Sequence, residues 1–448
     1  MQFNLFKKYQ IHWFIITILL LTLIGCSKNN FESALKNTPQ DATYFLNPAT
    51  KNKPLVAPNT QKTILQDYIN HYISPWTNRD PILSDSAIKQ MEERTLDKFL
   101  KQPNWGENLQ PYSKKWLTDI ADNMALQNFP NRHIKVITLS STNLRLFPTM
   151  EPAFDNPQQA GEGYPFDYLQ ESSVPPSTPA IILQTTRDGA WNLVRLNNDI
   201  GWIATEDLAK VDDNFISQWE TNKYIAILKD QLSVFTTSHR FLFKTNLGSV
   251  YPLIRETENN FTLLVASADA NNNAVIKTAV IPKNTAVTMP LLLTQKNIAV
   301  LANSILGNPY GWGGIHGYRD CSSTMTDLFT PFGVWLPRNS YDQIHTKNFI
   351  TLEGKKDTHK ENILADKGIP FVTLVGLPGH IMLYLGKNNG KLYVLQNMWG
   401  IHTKTIFGKK GRALIGKTVI TPINFDKGYF NVPQSMLDRI NSFTYVTQ

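Results

Sequence analysis

The sequence is poor in cysteine and has no long block of like-charged residues. Only 2 cysteines occur among 448 residues, Cys26 and Cys321, so the chain can form one disulfide at most. The net charge of +8 is not gathered into runs of lysine and arginine, so we expect no nucleic-acid partner. The isolated histidines lack the spacing of metal ligands, and we expect neither a metal nor another cofactor. Examples are His133, His239, His316, His359 and His402.

The N-terminus lacks an apolar run long enough to cross a membrane. The run from Trp13 to Ile24 has about 12 residues, whereas a spanning helix needs about 20. Lys7 and Lys8 precede it, an order typical of a secretion signal. The ending Leu-Ile-Gly-Cys resembles a lipoprotein signal, which implies that Cys26 is lipidated and begins the mature chain. An ordinary transmembrane anchor is the alternative.

Lipidation of Cys26 would fix both the location of the protein and the state of its other cysteine. Ser27, and not aspartate, follows Cys26. This favours a lipid-anchored protein of the cell envelope, held on the outer membrane and facing the periplasm. Cys321 would then have no disulfide partner. A lone thiol in an oxidising compartment is a liability unless the protein uses it.

The stretch from Tyr310 to Tyr341 gives Cys321 a setting suited to a nucleophile. A glycine-rich aromatic turn precedes it, and apolar residues at helical spacing follow it until Gly333 ends the helix. Cys321 is therefore predicted at a helix N-terminus, with Asp320 near the N-cap. The helix dipole and the free N–H groups favour a thiolate there, and the thiolate is the nucleophilic form.

His380 is the candidate base for this thiol. The apolar run over 380–385 predicts a buried strand with His380 at its mouth, and a turn leads to a second strand over 391–397. In such a hairpin Gln396 falls roughly across from His380, where it can fix the tautomer and orientation of the imidazole. Cys321, His380 and Gln396 are thus predicted to be nucleophile, base and orienting residue.

This part of the chain resembles the NlpC/p60 cysteine peptidases of bacterial cell walls. The resemblance covers about the last third of the chain and implies a papain-like domain. Many members carry histidine as the third catalytic residue, where this chain has Gln396. Neutral glutamine can still orient His380, but it stabilises the imidazolium less than a charged partner would. The matching pieces are Tyr310-Gly-Trp-Gly-Gly314, Asp320-Cys321-Ser322, Leu336-Pro-Arg-Asn-Ser340 and Pro378-Gly-His380.

The family resemblance also implies a substrate and its contacts. The expected partner is a peptidoglycan stem peptide or muropeptide, cut between γ-D-glutamate and the diamino acid, with the Cys321 backbone N–H as oxyanion donor. By position, Asp320 would anchor a free L-alanine amine. Tyr310, Ser322 and Ser340 would bind backbone and carboxylate groups. Simpler readings remain for Asp320 as an N-cap and for Ser340 as a turn residue.

The residues before the peptidase domain change from helical periodicity to short strands near Arg132. They resemble the N-terminal stabilising region and the two bacterial SH3 domains attached to some of these peptidases. We therefore predict an α+β monomer of several domains. The predicted bounds are 1–25 for the signal peptide, 26–53 for a tether, 54–130 for the helical region, 131–211 and 212–292 for two SH3-like barrels, and 293–448 for the peptidase domain.

Two other functions compete with the peptidase. The chain could be a non-catalytic, wall-binding SH3 lipoprotein, although a binding module would need neither Cys321 nor His380. It could also keep the chemistry and act as an amidase or acyltransferase on another amide. The barrel aromatics bear on binding: most are expected in the core, but Tyr164, Tyr168 and Trp191 could instead wall a ligand groove.

Overall fold

The computed structural model describes residues 34–77, 83–346 and 348–447. The signal-peptide prediction and Cys26 lie outside these residues. Helices and sheets are segregated along the chain, and the predicted α+β class is confirmed. Helices with both ends in these ranges include α1 (Pro58–Thr77), α2 (Asp85–Leu100), α3 (Lys114–Met124), α4 (Asp213–Trp219), α5 (Gln295–Ile305), α6 (Cys321–Phe329), α7 (Ser340–Ile344), α8 (Asp357–Lys367) and α9 (Met436–Arg439).

The first of these helices joins the two barrels. Tyr68, Tyr72 and Trp76 recur every four residues, so they share one face of α1. That face is buried in an apolar cluster to which both barrels and α4 contribute. The Trp76 indole N–H donates to the Val136 carbonyl at 2.8 Å, so its polar end is satisfied. Helix α1 therefore fixes the barrels to each other.

The tether predicted for residues 26–53 is wrong where the structure describes it. Residues Ala42–Phe45 form a 3₁₀ turn, and Ala42 is fully buried in the core of the peptidase domain. The Ala42 N–H donates to Asn303 Oδ1 at 2.7 Å. Gln40 exchanges two hydrogen bonds with the backbone of Ile420, at 2.8 and 3.0 Å. The polar composition suggested a flexible tether. The segment instead packs on the peptidase domain through hydrogen bonds of amide side chains, which need no long apolar face.

The first barrel is a 7-stranded antiparallel sheet. Trp202 is fully buried at its centre, and its indole N–H donates to Glu92 Oε2 on α2 at 3.0 Å. A tight turn is present at Gly189, with φ of 74° and a hydrogen bond from its N–H to the Thr186 carbonyl at 3.0 Å. The strands are β1 (Ile134–Thr138), β2 (Thr142–Arg145), β3 (Gln170–Val174), β4 (Pro179–Thr185), β5 (Trp191–Arg195), β6 (Ile200–Ala204) and β7 (Leu208–Lys210). Their spatial order is β3-β2-β6-β5-β4-β1-β7.

The second barrel combines a 5-stranded sheet with a 2-stranded hairpin around its own apolar core. The strands are β8 (Tyr224–Ile227), β9 (Leu232–Phe235), β10 (Phe241–Thr245), β11 (Val250–Glu256), β12 (Asn260–Ala268), β13 (Ala274–Pro282) and β14 (Ala286–Thr288). Trp219, which precedes this barrel on α4, is fully buried, as expected for a core residue.

The peptidase domain is built on a 6-stranded antiparallel sheet covered on both faces. Ile381 and Leu383 point from one strand toward α6, whereas Met382 and Tyr384 point to the opposite core, which explains the continuous apolar run after His380. The strands are β15 (Ile350–Thr351), β16 (Thr373–Leu377), β17 (His380–Asn388), β18 (Lys391–Lys404), β19 (Lys410–Pro422) and β20 (Ser442–Tyr445). Their order is β15-β20-β16-β17-β18-β19, which places β17 and β18 side by side.

Candidate active site

Cys321 is the first residue of α6, as the sequence predicts, and Asp320 is the N-cap. Asp320 Oδ1 accepts from the Ser323 N–H at 2.8 Å, and Ser323 Oγ accepts the Asp320 N–H at 2.9 Å, which completes a capping box. The buried residues of α6 pack against β17. Since the first amides of a helix have no intrahelical acceptor, the Cys321 N–H is available to a ligand oxygen.

The thiol of Cys321 is buried, with 8% of the residue exposed. Burial raises the pKa of Cys321 to about 12, and the carboxylate of Asp320 adds to the rise. A hydrogen bond from the Ile381 N–H and the charge of Arg338 act in the opposite direction. The thiol is therefore protonated at neutral pH. The helix N-terminus favours a thiolate, but burial and the Asp320 carboxylate oppose it here.

His380 begins β17 and is held by a glutamine from β18. His380 Nε2 lies 2.9 Å from Gln396 Oε1, and Gln396 Nε2 donates to Thr421 Oγ1 at 2.6 Å. Because the amide nitrogen is engaged by Thr421, the amide oxygen faces the ring and can only accept. His380 Nε2 therefore carries the proton, and Nδ1 is the basic nitrogen.

The thiol lies at the start of β17, the strand that His380 begins. Sγ of Cys321 takes a hydrogen bond from the N–H of Ile381, the residue after His380. Burial lowers the pKa of His380 to about 4; the bond to Gln396 opposes this fall, and the charge of Arg439 adds to it. At neutral pH the site thus holds a neutral thiol and a neutral base, an arrangement suited to proton transfer during attack.

Asp320 belongs to a buried ion pair as well as to the helix cap. Arg338 Nη2 donates to its Oδ2 at 2.7 Å. Ser322 Oγ accepts from Arg338 Nη1 at 2.9 Å and donates to Asp320 Oδ1 at 3.2 Å. Burial opposes ionisation of Asp320, but Arg338 and Ser323 hold the pKa of its carboxyl below the ordinary value. Oδ2 accepts from Arg338 alone among the described residues, so it keeps room for a second donor.

Tyr310 and Ser340 differ in their relation to the nucleophile. Tyr310 lines the same cleft as His380; burial raises the pKa of its hydroxyl, and the charge of Asp320 adds to this. Ser340 is the first residue of α7 and follows the N-cap Asn339. It is not among the described residues that line this cleft. The structure thus brings Tyr310 to the site and leaves Ser340 as a helix-start residue nearby.

Four family models match the chain in the order that the sequence predicts. They are the N-terminal stabilising domain of NLPC_P60 over residues 13–129, an SH3 domain of the SH3b1 type over 152–204, an SH3 domain of the SH3b2 type over 212–258, and the NlpC/P60 family over 307–405. The last range contains Cys321, His380 and Gln396. The chain carries an NlpC/P60 domain. It is accordingly a cysteine peptidase.

A solved structure shares this architecture. An NlpC/P60 endopeptidase from Photobacterium damselae subsp. piscicida has a TM-score of 0.83 at 26% identity, covering 92% of this chain and 98% of that chain. An NlpC/P60 family protein from Bacillus cereus has a TM-score of 0.45 at 15% identity, covering 70% of this chain and 99% of that chain. Comparison with curated proteins gave no significant match. The first likeness spans the helical region, both barrels and the peptidase domain.

In this NlpC/P60 chain the first barrel is bonded directly to the glycine-rich turn before Cys321. The Trp312 indole N–H donates to the Asp167 carbonyl, and Gln170 Nε2 donates to the Gly313 carbonyl, both at 2.9 Å. Gly313 has a φ of 54°, and a Cβ there would lie 2.2 Å from the Gln170 carbonyl oxygen. The turn therefore requires glycine because a barrel strand passes directly over it.

The barrel also forms one wall of the cleft beside His380, which measures about 320 Å³. Tyr168 lines it, as the groove reading allowed, whereas Trp191 packs against the barrel core. Tyr164 is 66% exposed and its hydroxyl lies 3.2 Å from His316 Nε2. The described residues contain no group of three or more histidine, cysteine or acidic side chains that could hold a metal ion.

Arg338 is the residue of the site that sequence analysis missed. It lies in the Leu-Pro-Arg-Asn-Ser piece and was given no role. In the structure it donates to Asp320, to Ser322, to Ser172 Oγ at 2.7 Å and to the Glu171 carbonyl at 2.9 Å. In the sequence, Arg338 is a single arginine between an apolar stretch and a helix start. That position could have suggested a buried arginine with an acidic partner, because a charged side chain is rarely buried unpaired.

Proposed function

We propose that this peptidase hydrolyses the amide bond between γ-D-glutamate and the diamino acid of peptidoglycan stem peptides or their released fragments. The observation that carries the proposal is the buried free thiol of Cys321, bonded to Ile381 at the start of the strand whose first residue, His380, has its ring proton fixed on Nε2 by Gln396. Nucleophile, base and orienting group are the parts that acyl transfer needs. Resemblance to a family of cell-wall peptidases supports the substrate class.

The reaction proceeds through an acyl-enzyme. Cys321 Sγ attacks the amide carbonyl while His380 Nδ1 accepts the thiol proton, and the oxyanion turns toward the Cys321 N–H. His380 returns the proton to the leaving amine as the C–N bond breaks. Water, deprotonated by His380, then attacks the thioester and releases the γ-carboxylate and the thiol. In both steps the imidazolium donates from Nε2 to Gln396.

Because thiol and imidazole are both neutral at rest, charge separation occurs only during attack. A charge that forms in a desolvated site must be stabilised by groups already in place. Gln396 Oε1 does this for the imidazolium, and the helix amides do it for the oxyanion. The proposed enzyme is thus activated by substrate and does not carry a reactive thiolate at rest.

We further propose that the substrate binds by a free N-terminal amine. Arg338 ties Asp320 to the first barrel through Ser172 and Glu171, so the barrel is held next to that carboxylate and would close that end of the cleft. A closed end suits a peptide terminus better than a continuous glycan strand. The L-alanine ammonium would take the remaining acceptor position of Asp320 Oδ2, beside the hydroxyl of Tyr310.

Location remains a prediction from the N-terminal residues. Among the described residues, no helix combines the length and apolarity that a bilayer span requires. We propose anchoring through lipid on Cys26, which would place the peptidase on the envelope as a monomer.

The test uses purified protein and the tripeptide L-Ala-γ-D-Glu-diaminopimelate, with products identified by mass spectrometry. We expect L-Ala-γ-D-Glu and the free diamino acid, faster from short peptides than from intact peptidoglycan. Cys321→Ala should abolish turnover and leave the thermal midpoint nearly unchanged, since the change removes little volume. Turnover by Cys321→Ala would reject the mechanism, and an inert wild type on every stem peptide would reject the substrate.

A further inference from the structure

Two arginines that the proposed chemistry does not use line the cleft beside His380. Arg412 lies on β19, where it pairs in register with His402 of β18. Arg439 is the last residue of α9. Both side chains and His402 line the same cleft as the catalytic imidazole. Glu162 and Asp426 line it as well, so this part of the cleft carries charges of both signs, apart from the Asp320–Arg338 pair at the barrel.

In the described part of the chain these two guanidinium groups form no direct ion pair, although the charge of Glu162 acts on Arg412 and that of Asp426 acts on Arg439. Within the described residues, arginine ion pairs involve Arg145, Arg319 and Arg338, and Arg412 and Arg439 form none. Nε of Arg412 is buried without a hydrogen-bond partner. Arg439 Nη2 donates to the Pro378 carbonyl at 3.2 Å. Unpaired, partly desolvated guanidinium groups in a cleft favour binding of a carboxylate.

The charged neighbours of the two arginines set the electrostatics of this part of the cleft. Arg412 lies against the backbone of Gly161, where a Cβ would come within 2.1 Å of Nη2, so this close approach requires glycine. Burial lowers the pKa of Arg412; the charge of Glu162 opposes this fall, and the charge of Arg439 adds to it. Burial likewise lowers the pKa of His402, with both arginines contributing, so His402 is neutral at pH 7. A bound carboxylate would relieve the repulsion between the two arginines.

The arginines lie on the side of the scissile bond that carries the leaving group. Arg439 bonds the carbonyl of Pro378, two residues before His380, and its charge acts on His380. The charge of Arg338 acts on Cys321, and that of Asp320 acts on both Cys321 and His380. Since His380 must protonate the leaving amine, the diamino acid lies on the His380 side.

We propose, resting on the proposed function, that Arg412 and Arg439 bind the distal carboxylate of the leaving diamino acid and so select diaminopimelate over lysine. The distal centre of diaminopimelate carries a carboxylate and an ammonium group, whereas lysine ends in an ammonium group alone. Two guanidinium groups attract the first and repel the second. Asp426, which also lines the cleft, lies on the same side and can receive the distal ammonium group.

The experiment compares three tetrapeptides, L-Ala-γ-D-Glu-X-D-Ala, with the wild-type protein. X is meso-diaminopimelate, diaminopimelate amidated at the distal carboxylate, or lysine. The α-carboxylate of X is in an amide in all three, and the D-glutamate carboxylate is common to all three, so only the distal end differs. We expect kcat/KM for diaminopimelate to exceed that for the other two by roughly 10- to 100-fold, the range of a charge-assisted hydrogen bond.

Arg412→Met and Arg439→Met should each bring kcat/KM for the diaminopimelate peptide to within roughly threefold of the values for the other two peptides. Only kcat/KM for the diaminopimelate peptide should fall. Arg412→Lys keeps the charge and should keep part of the preference, which guards against a variant that fails to fold. Lys410→Met is the matched control: Lys410 is exposed on the same strand, and its replacement should leave the preference unchanged.

The outcomes separate this inference from the proposed function. Equal cleavage of all three peptides by the wild type would overturn the inference while the proposed function stands. An equal loss on all three peptides in Arg412→Met and Arg439→Met would also overturn it, because the arginines would then act on a group common to every substrate. Failure of the wild type to cut any of the three would reject the proposed function itself, and the inference with it.

Discussion

Replacement of Gln396 by methionine tests how the base is held. Gln396 is fully buried between β17 and β19, and its amide joins His380 to Thr421 by bonds of 2.9 and 2.6 Å. Methionine fills nearly the same volume and removes both bonds. The change therefore deletes the orienting interaction without opening a large cavity.

The size of the effect follows from when the bond is strongest. At rest the imidazole is neutral, and a neutral hydrogen bond contributes about 1 kcal/mol. In the transition state the imidazole is cationic, and a charge-assisted bond contributes about 1.5–3 kcal/mol. Since about 1.4 kcal/mol corresponds to a factor of ten, kcat/KM should fall by roughly 10- to 150-fold. Release of Nε2–H also allows the other tautomer, which leaves Nδ1 protonated and unable to act as base.

The assay is initial-rate hydrolysis of the labelled tripeptide across pH, together with thermal unfolding. Thr421→Val should have a smaller effect, roughly 2- to 10-fold, because Gln396 stays but loses the bond that fixes its orientation. Thr421→Ser is the matched control, since it keeps the hydroxyl. A Gln396→Met protein that folds normally and retains kcat/KM within twofold of wild type would refute the orienting role.

Three further predictions concern the rest of the chain. The acid limb of the kcat/KM pH profile should lie near pH 4, because burial lowers the pKa of His380 to about 4 and activity is lost only as the pH falls through that value. An acid limb near pH 6.5 would contradict this prediction. N-acetylation of the L-alanine amine should lower kcat/KM by roughly 10- to 100-fold, and Asp320→Asn should add little to that loss on the acetylated peptide. The control Ser323→Ala weakens only the helix cap and should slow hydrolysis of the free and the acetylated peptide alike. Equal rates of the wild type on these two peptides would reject the amine anchor. Cys26→Ala should block lipid attachment and leave unprocessed precursor, so uptake of radiolabelled palmitate by the variant would show that the lipoprotein reading is wrong.

Local patterns allowed much of the site to be predicted. The α6 start at Cys321 follows from the capping residue and the apolar spacing after it, and the strand at His380 follows from a short apolar run. Gln396 could be placed because a tight hairpin fixes which residues face each other across two strands. The second strand nevertheless runs to Lys404, beyond the predicted end at 397, because its outer part pairs with β19. That long-range pairing brings Arg412 to the cleft.

What could not be predicted depends on burial. The setting of Cys321 at a helix start suggested a lowered thiol pKa, but the surrounding core raises it. Composition suggested a tether, but amide hydrogen bonds from Gln40 and Asn303 dock that segment. In both cases, residues distant in sequence set the environment, and a single sequence does not reveal them.

The role of Arg338 argues against regarding the first barrel as a separate wall-binding module. Its guanidinium donates to Ser172 Oγ and the Glu171 carbonyl on the barrel, and to Asp320 and Ser322 beside the nucleophile. Arg338 is only 8% exposed. Loss of its contacts with the barrel would leave a buried positive charge with unsatisfied hydrogen-bond donors, which is destabilising. The same barrel strand passes over the glycine turn that leads into α6. The barrel is therefore part of the structure that positions Cys321. Wall binding by the barrels alone would not require these contacts with the residues around the nucleophile.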